Sequence, residues 1–526
     1  VWDNGLVSIV ENTKANQTVE LNIKDAVSTA PIVNVNSNFT KINPADLGIN
    51  FAHQENVFND FLKQVLLPQK LSQQGPALSV GDVNKDGLDD FYVGGAQGQS
   101  GKLYLQNRSG KFDVSVQADF EKDKSFEDNG SLFFDANNDG YLDLYVTSGG
   151  YELAENSPLL QDRLYLNDKK GTFIKTAVLP KMLSSTKAVK AIDFDNDGDL
   201  DLAIGGHSIP GKYPLFSQSY FLRNDKGIFK DVTATVAPEF SKIGIVNDFI
   251  FSDYDNDGAK DLIVVGEWMP ITVLKSTKGQ FKIINVPQFK NTEGWWNTVS
   301  EVDIDKDGDL DYFFGNLGGN NKFHPSVEKP LHIYGNNFDS NSTYDMVLSK
   351  LYKTNLVPVR GKECSTQQNS FVSKKMPTFK SFAKSSLADI YGEKELKASY
   401  HKQVYQFKSG YALNNGKGSF TFKELPNTAQ IGPTMSFVFA DVNKDGYQDV
   451  IGVGGIYESE VETIRYDSNI GYILLGDSKG NLKPYKDINF YNGENAKQMK
   501  KIQIKGKQHL LIANNNALVS LFSILK

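Results

Sequence analysis

Seven short stretches of the chain place oxygen-bearing side chains at one fixed spacing, and that spacing is what a hard cation needs. Within each nine-residue stretch, side chains at positions 1, 3, 5 and 9 and a backbone carbonyl at position 7 supply the oxygens, and glycine at position 6 allows the sharp turn. The first stretch offers Asp82, Asn84, Asp86 and Asp90 with the carbonyl of Leu88. The second offers Asp135, Asn137, Asp139 and Asp143 with Tyr141, and the third Asp193, Asp195, Asp197 and Asp201 with Asp199. The fourth holds Asp253, Asp255, Asp257 and Asp261 around Ala259, and the fifth Asp303, Asp305, Asp307 and Asp311 around Asp309. The sixth is eroded: Asn337, Asp339, Asn341 and Asp345 surround Thr343, and Ser342 replaces the glycine. The seventh returns to the pattern with Asp441, Asn443, Asp445 and Asp449 around Tyr447.

All-oxygen sites of this kind suit Ca²⁺; Mg²⁺ keeps its waters, and Zn²⁺ or Cu²⁺ call for His or Cys, which do not recur in register. The chain is therefore expected to hold six or seven structural Ca²⁺ ions. An EF-hand loop would need a bidentate Glu at position 12. Here that position is Val93, Val146, Ile204, Val264, Phe314, Leu348 or Gly452, so a strand follows instead of a helix. Asp, Asn and Gly also make ordinary turns, but seven copies in register outweigh that reading.

The elements that must carry these loops are strands. β-branched and aromatic residues precede and follow each loop, as in Ala77–Gly81 and Phe91–Gly95. A second pair follows around a Gly turn, as in Leu103-Tyr-Leu with Gly110-Lys-Phe112, and Tyr411-Ala-Leu with Gly418-Ser-Phe420. First positions of successive loops lie 53, 58, 60, 50, 34 and 104 residues apart. Most of these intervals approach the ~40–50-residue period of four-stranded propeller units. The predicted fold is all-β: a seven- or eight-bladed β-propeller, eight preferred, and seven if the short step hides a shared blade. Pairing of Phe39–Ile42 with the strands of Lys501–Ile524 would close the ring and remove an open edge. The predicted division is residues 1–32 as a small β remnant and 33–526 as the propeller. The 104-residue interval predicts a partly helical insertion over about 361–403, with a helix over Phe379–Ser399.

Composition narrows the class. The 526 residues include 45 Gly, 34 Phe and 23 Tyr, a turn-rich, β-rich globular balance that excludes a disordered chain, a coiled coil and collagen. No apolar run reaches the ~18–20 residues of a membrane-spanning helix. The one cysteine, Cys364, rules out an intrachain disulfide. The chain begins at Val1 without a signal segment and is read as mature or truncated, its export route not visible. A formal charge of -7 argues against nucleic acid as a partner. Six divalent ions would move that charge to +5, because much of the acidity sits in the loops.

These loops, with their preceding Phe/Val strands and following Gly-Gly endings, resemble FG-GAP/VCBS repeats of integrin-α-like calcium propellers over about 480 residues. Residues 1–26, with Val1-Trp-Asp-Asn-Gly, Asn12, Gln17, Leu21 and Asp25-Ala26, resemble the tail of an ASPIC/UnbV domain. Together they are similar to the C-terminal half of bacterial surface proteins related to cartilage acidic protein. The resemblance implies an extracellular or outer-membrane setting in a Gram-negative bacterium, and adhesion or complex assembly. No transmembrane segment is expected.

Other chemistry is sparse in the sequence. The six histidines show no metal-binding spacing, and Cys364 has no nearby His, so neither supports catalysis. Trp268, Trp295 and Trp296 could stack on sugar rings, with core packing the preferred reading. The expected function is a non-enzymatic, calcium-stabilised interaction scaffold, a cell-surface subunit of an outer-membrane complex or an adhesin. Its partners would be surface proteins or acidic glycans. The alternative is a polysaccharide-binding or lyase-type propeller acting on acidic glycans.

Overall fold

The computed structural model describes residues 2, 6–10, 14–27 and 37–525. Eight antiparallel sheets carry a four-stranded path each, the arrangement of a β-propeller. Seven of them begin with strands Leu78–Gly81, Glu127–Phe134, Thr186–Ile192, Ile245–Ser252, Thr298–Val302, Ser436–Ala440 and Asn495–Ile504. Each of these first strands packs beside the next, and the last packs beside Leu78–Gly81, so they form a closed circuit.

The sequence accounts for the layering. Second strands such as Asp143–Gly149 and Asp261–Met269 are buried at every residue because neighbouring sheets cover both faces. Fourth strands are half-exposed and anchored by one buried ring near the start, as at Phe112, Phe173, Phe229, Phe281 and Phe420. Aromatic and branched residues from adjacent sheets then interlock; Phe221 alone meets Phe194, Phe240, Phe251 and Phe281.

The seventh sheet joins distant parts of the chain. Its order is Phe39–Ile42, Ser520–Ile524, Lys507–Asn515, Asn495–Ile504, with Phe39 opposite Ile524 and Ile42 opposite Leu521. Before it, the described parts of residues 1–32 contain one turn of 3₁₀ helix at Ile23–Asp25 and a bridge between Val7 and Val27. Residues Val1, 3–5, 11–13 and 28–32 of the predicted N-terminal remnant lie outside the described residues.

The eighth sheet is an insertion. Its strands Leu331–Asn336, Asp345–Tyr352, Asn355–Pro358 and Tyr400–Val404 lie in the chain between Asp311–Gly315 and Gly410–Asn414. Those two flanking strands pair directly, Tyr312 opposite Ala412, as second and third strands of one sheet. The eroded loop therefore belongs to an inserted sheet that stands outside the circuit of seven first strands. The insertion accordingly runs over 316–409 rather than 361–403.

Its helical part is also shorter-grained than predicted. Five short helices occupy Lys362–Gln368, Phe371–Lys375, Phe379–Lys384, Leu387–Tyr391 and Glu393–Ala398. The single helix expected over Phe379–Ser399 breaks twice. Ser386 caps a new start with Asp389, and Gly392 adopts φ 95°. The inserted sheet buries Leu331, Ile333, Met346, Leu348 and Val404 against Leu67, Tyr213 and Ile456 from the connections and against Trp268 and Trp295 from the paired strands Asp261–Met269 and Gly294–Trp295. It thereby caps the end of the ring remote from the acidic loops.

Candidate metal centres

Each radial acidic loop joins a first strand to a second, and its conformation follows from two left-handed residues. Position 4 (Lys85, Asn138, Asn196, Asn256, Lys306 and Lys444) has φ of 57° to 63°, and the position-6 glycine has φ of 83° to 98°. Glycine at position 6 was foreseeable; Asn and Lys at position 4 follow from their tolerance of, or confinement to, the same region. This curl turns position-1 and position-5 carboxylates inward. In all six radial loops the position-1 Oδ2 accepts from the glycine N–H at 2.7–3.2 Å. The position-7 N–H donates to the position-5 Oδ1 at 2.9 Å each time.

The position-9 aspartates do more than the sequence suggested. Asp90, Asp143, Asp201, Asp261, Asp311 and Asp449 are fully buried. Their Oδ1 atoms accept from the third-strand N–H of Gln106, Asn167, Asn224, Ser276, Asn414 and Gly476, at 2.6–3.0 Å. In five loops Oδ2 also accepts from the position-2 N–H, as in Val83 to Asp90 at 3.1 Å. Each residue thus pins loop to sheet while keeping a free lone pair on each oxygen. Burial pushes Asp90, Asp201 and Asp311 up to about 7, and Asp143 and Asp261 up to about 6. Such buried carboxylates are costly unless a cation faces them.

The donor sets differ in their fit to a divalent ion. In the third and fifth loops, carboxylate oxygens of Asp193, Asp195 and Asp197, and of Asp303, Asp305 and Asp311, lie within 4.8 Å of one another. The first, second and seventh loops substitute the amide oxygens of Asn84, Asn137 and Asn443 at position 3, which are also hard-cation donors. These five sets fit Ca²⁺.

The fourth and sixth are arranged differently. In the fourth, Asp253, Asp255 and Asp257 converge equally well, but the ammonium of Lys275 stands among them. Its Nζ lies 2.7 Å from both oxygens of Asp255, 2.8 Å from Asp257 and 3.2 Å from Asp261. The equivalent third-strand position is Leu105, Leu166, Leu413 or Leu475 in four other sheets and Arg223 in the third, where the guanidinium turns to Asp225. In the sixth, Ser342 does not adopt the left-handed turn, and the Asn337 side chain donates to the Asn341 carbonyl inside the loop. Asn341 Oδ1 accepts from the Thr343 N–H at 2.6 Å, as position 5 does in the radial loops, and here from the Thr343 hydroxyl at 2.5 Å as well. At these two loops, then, a tethered ammonium stands among the carboxylates of one, and internal hydrogen bonds tie the donors of the other.

Neighbouring loops also touch in a relay that single-loop counting missed. The position-4 side chain of one meets the position-7 side chain of the next. Lys85 lies 4.2 Å over the Tyr141 ring, and Lys306 lies 5.4 Å over Tyr447. Asn138 donates to Asp199 at 2.6 Å, and Asn256 donates to Asp309 at 2.7 Å.

The remaining sequence candidates are packing residues. Trp268, Trp295 and Trp296 are only 2%, 3% and 0% exposed, which removes them as sugar platforms. The Trp268 indole N–H donates to Tyr213, and that of Trp296 to the Thr292 carbonyl. His332 and His401, 69 residues apart, stack with Nδ1 and Nε2 at 3.0 Å, a pairing that sequence spacing concealed. Burial, and then the neighbouring His401, hold His332 down to about 4, so the pair is neutral. Cys364 accepts from Arg360 at 3.1 Å with no histidine beside it.

This architecture and these loops agree with what comparison finds. An FG-GAP-like repeat family matches residues 82–146, 135–204 and 253–314, so the chain carries FG-GAP-like repeats. Among curated proteins no sequence match was found. Among solved structures, the crystal structure of BBS1N in complex with ARL6DN aligns at 8% identity over 94% of this chain and 98% of that chain, with TM-score 0.42. Sqt1 of Saccharomyces cerevisiae aligns at 10% identity over 88% and 99%, with TM-score 0.40. The V. cholerae biofilm matrix protein Bap1 aligns at 9% identity over 93% and 91%, with TM-score 0.34.

Proposed function

We propose that this chain is a seven-bladed, calcium-rigidified β-propeller serving as an interaction scaffold at the outer surface of a Gram-negative bacterium, within an outer-membrane complex or as an adhesin. The observation that carries the reading is the repeated oxygen cage at one end of five radial sheets. It is built from the same positions each time and welded to the sheet through position 9. A divalent ion there would neutralise the inward carboxylates and hold each first-to-second strand connection rigid. That rigidity presents the position-7 side chains, among them Tyr141, Asp199 and Tyr447, as a fixed surface. The inserted sheet occupies the other end, leaving the loop end as the face for a partner.

Two measurements test this. Equilibrium dialysis with elemental mass spectrometry is expected to give five Ca²⁺ per chain. Lys275→Leu is expected to raise that to six, since it replaces the ammonium by the residue found in four other sheets. A count of six in both chains would return the fourth loop to the ordinary metal sites, and a count of five in both would show that Lys275 is not what keeps an ion out. Cross-linking pull-downs from outer-membrane fractions are expected to capture a partner in calcium and to lose it in EGTA. A protein that stays monodisperse and partnerless in both would overturn the scaffold reading.

A further inference from the structure

The first strands enclose a channel along the axis of the ring, with a cavity of about 450 Å³ lined by residues from all seven. Its charge is lopsided. Lys187, Lys190, Lys497, Lys500 and Lys501 line it, against only Asp248 and Glu301. All five lysines come from two strands, Thr186–Ile192 and Asn495–Ile504, which stand three places apart in the circuit of seven and so face each other across the lumen.

The lysines are poorly matched by the protein itself. Lys187 donates to two neutral amides, Gln74 at 2.8 Å and Asn247 at 2.9 Å. Lys497 donates to the Gly455 carbonyl at 3.0 Å. Lys190 stands 3.5 Å from Asp248, whose oxygens already accept from Phe249, Thr298 and Val299. Lys500 and Lys501 make no hydrogen bond or ion pair among the described residues and are open to the lumen. Lys187 repels Lys497, and Lys190 repels Lys500. Burial first, and then the Lys187 charge, hold Lys497 down to about 7 against the opposing pull of Glu55 and Glu458; Lys500, water-accessible within the channel, is held to about 8 by the enclosing protein and then by Lys190, against Asp248. Two facing like-charged pairs around an open volume are unfavourable unless something anionic lies between them.

We propose that the channel binds a small dianion, its two oxyanionic groups bridging the Lys187–Lys497 and Lys190–Lys500 pairs. Three residues along a strand set the two pairs about 10 Å apart at the backbone. Flexible lysine stems bring the ammonium groups within reach of a shorter ligand. The site favours point-charge recognition of carboxylate, sulfate or phosphate groups, because it holds no guanidinium fork. Beneath the cap a second, smaller cavity of about 20 Å³ lies among Gln73, Gln74, Lys187 and Lys497, with Glu267 and Glu458 also in its wall.

Isothermal titration of the whole chain in saturating calcium, with butanedisulfonate as probe and butanesulfonate as its monoanionic match, tests this. One disulfonate per chain is expected, binding at least tenfold more tightly than the monosulfonate. Lys190→Met and Lys500→Met are each expected to weaken it at least tenfold, while Lys374→Met on the exposed helix Phe371–Lys375 leaves it unchanged. Without ligand, the two channel variants are expected to melt higher than the parent, since each removes one member of a repelling pair. Should either variant fold poorly, acetylation of Lys500 in the parent chain, followed by peptide mass spectrometry, is expected to slow several-fold in disulfonate. Equal binding of the two sulfonates, binding that survives both substitutions, or unprotected Lys500 would overturn the proposal.

Discussion

Withdrawing calcium with EGTA is expected to lower the melting temperature by about 12 °C. Five sites, each with free calcium at 100 times its dissociation constant, stabilise the folded chain by about 2.7 kcal/mol apiece, or about 13 kcal/mol together. Unfolding entropy of about 2.1 cal/mol/K per residue amounts to about 1.1 kcal/mol/K for 526 residues. Their quotient is the expected shift. The physical origin lies in the cages: without an ion, inward carboxylates at positions 1, 5 and 9 repel one another, three of them pushed by burial to about 7. Differential scanning calorimetry in calcium, in EGTA and after calcium is restored gives the measurement. An unchanged melting temperature would remove the structural role of the ions.

The second large effect is expected away from the loops. Arg163 and Asp128 form a buried pair at 2.7 Å between the third strand, Arg163–Asn167, and the first strand, Glu127–Phe134, of the second radial sheet, each about 95% or more shielded from solvent. Asp128 also accepts from Tyr92 at 2.8 Å and from the Gly95 N–H at 2.9 Å, and the guanidinium lies 4.5 Å over the Phe126 ring. Arg163→Met strands the carboxylate in the interior and is expected to cost about 3–5 kcal/mol. At the entropy above, that lowers melting by about 3–5 °C. Adding Asp128→Leu to the same chain is expected to recover part of the loss, because the stranded charge disappears. If the single variant melts with the parent, the pair holds nothing together. The Arg163 fork is thus spent inside the protein.

The loops were legible because every requirement of their chemistry is local. Nine consecutive residues contain the donors, the glycine and the strand-forming flanks, so repetition alone exposed them. The limits appear where the deciding residue arrives from elsewhere. Lys275 lies fourteen residues beyond Asp261, on a strand that only sheet pairing brings back over the loop. The same holds for the inserted sheet. A 34-residue step is compatible with a short blade or with an insert, and only the direct pairing of Tyr312 with Ala412 decides between them. The channel lysines were invisible for a related reason, since about 310 residues separate Lys190 from Lys500 and ring closure alone makes them neighbours. The loop relay, by contrast, left a readable trace. Lys85 and Lys306 at position 4 are followed by Tyr at position 7 of the next radial loop, and Asn138 and Asn256 by Asp, while Asn196 is followed by Ala259; in those four pairs two sequence choices go together because the side chains touch.

Closure of the ring by Phe39–Ile42 against Ser520–Ile524 sets a clock as well as a contact. A ribosome adding about 5–20 residues per second needs about 25–100 s to pass from one partner to the other. For that interval the early strand exists without its mate, while six sheets whose strands are nearer in sequence can already assemble. The final sheet is thus the last to form by construction, and a chain halted before Ser520 leaves Phe39–Ile42 without its partner and that sheet with only Asn495–Ile504 and Lys507–Asn515, however complete its acidic loops.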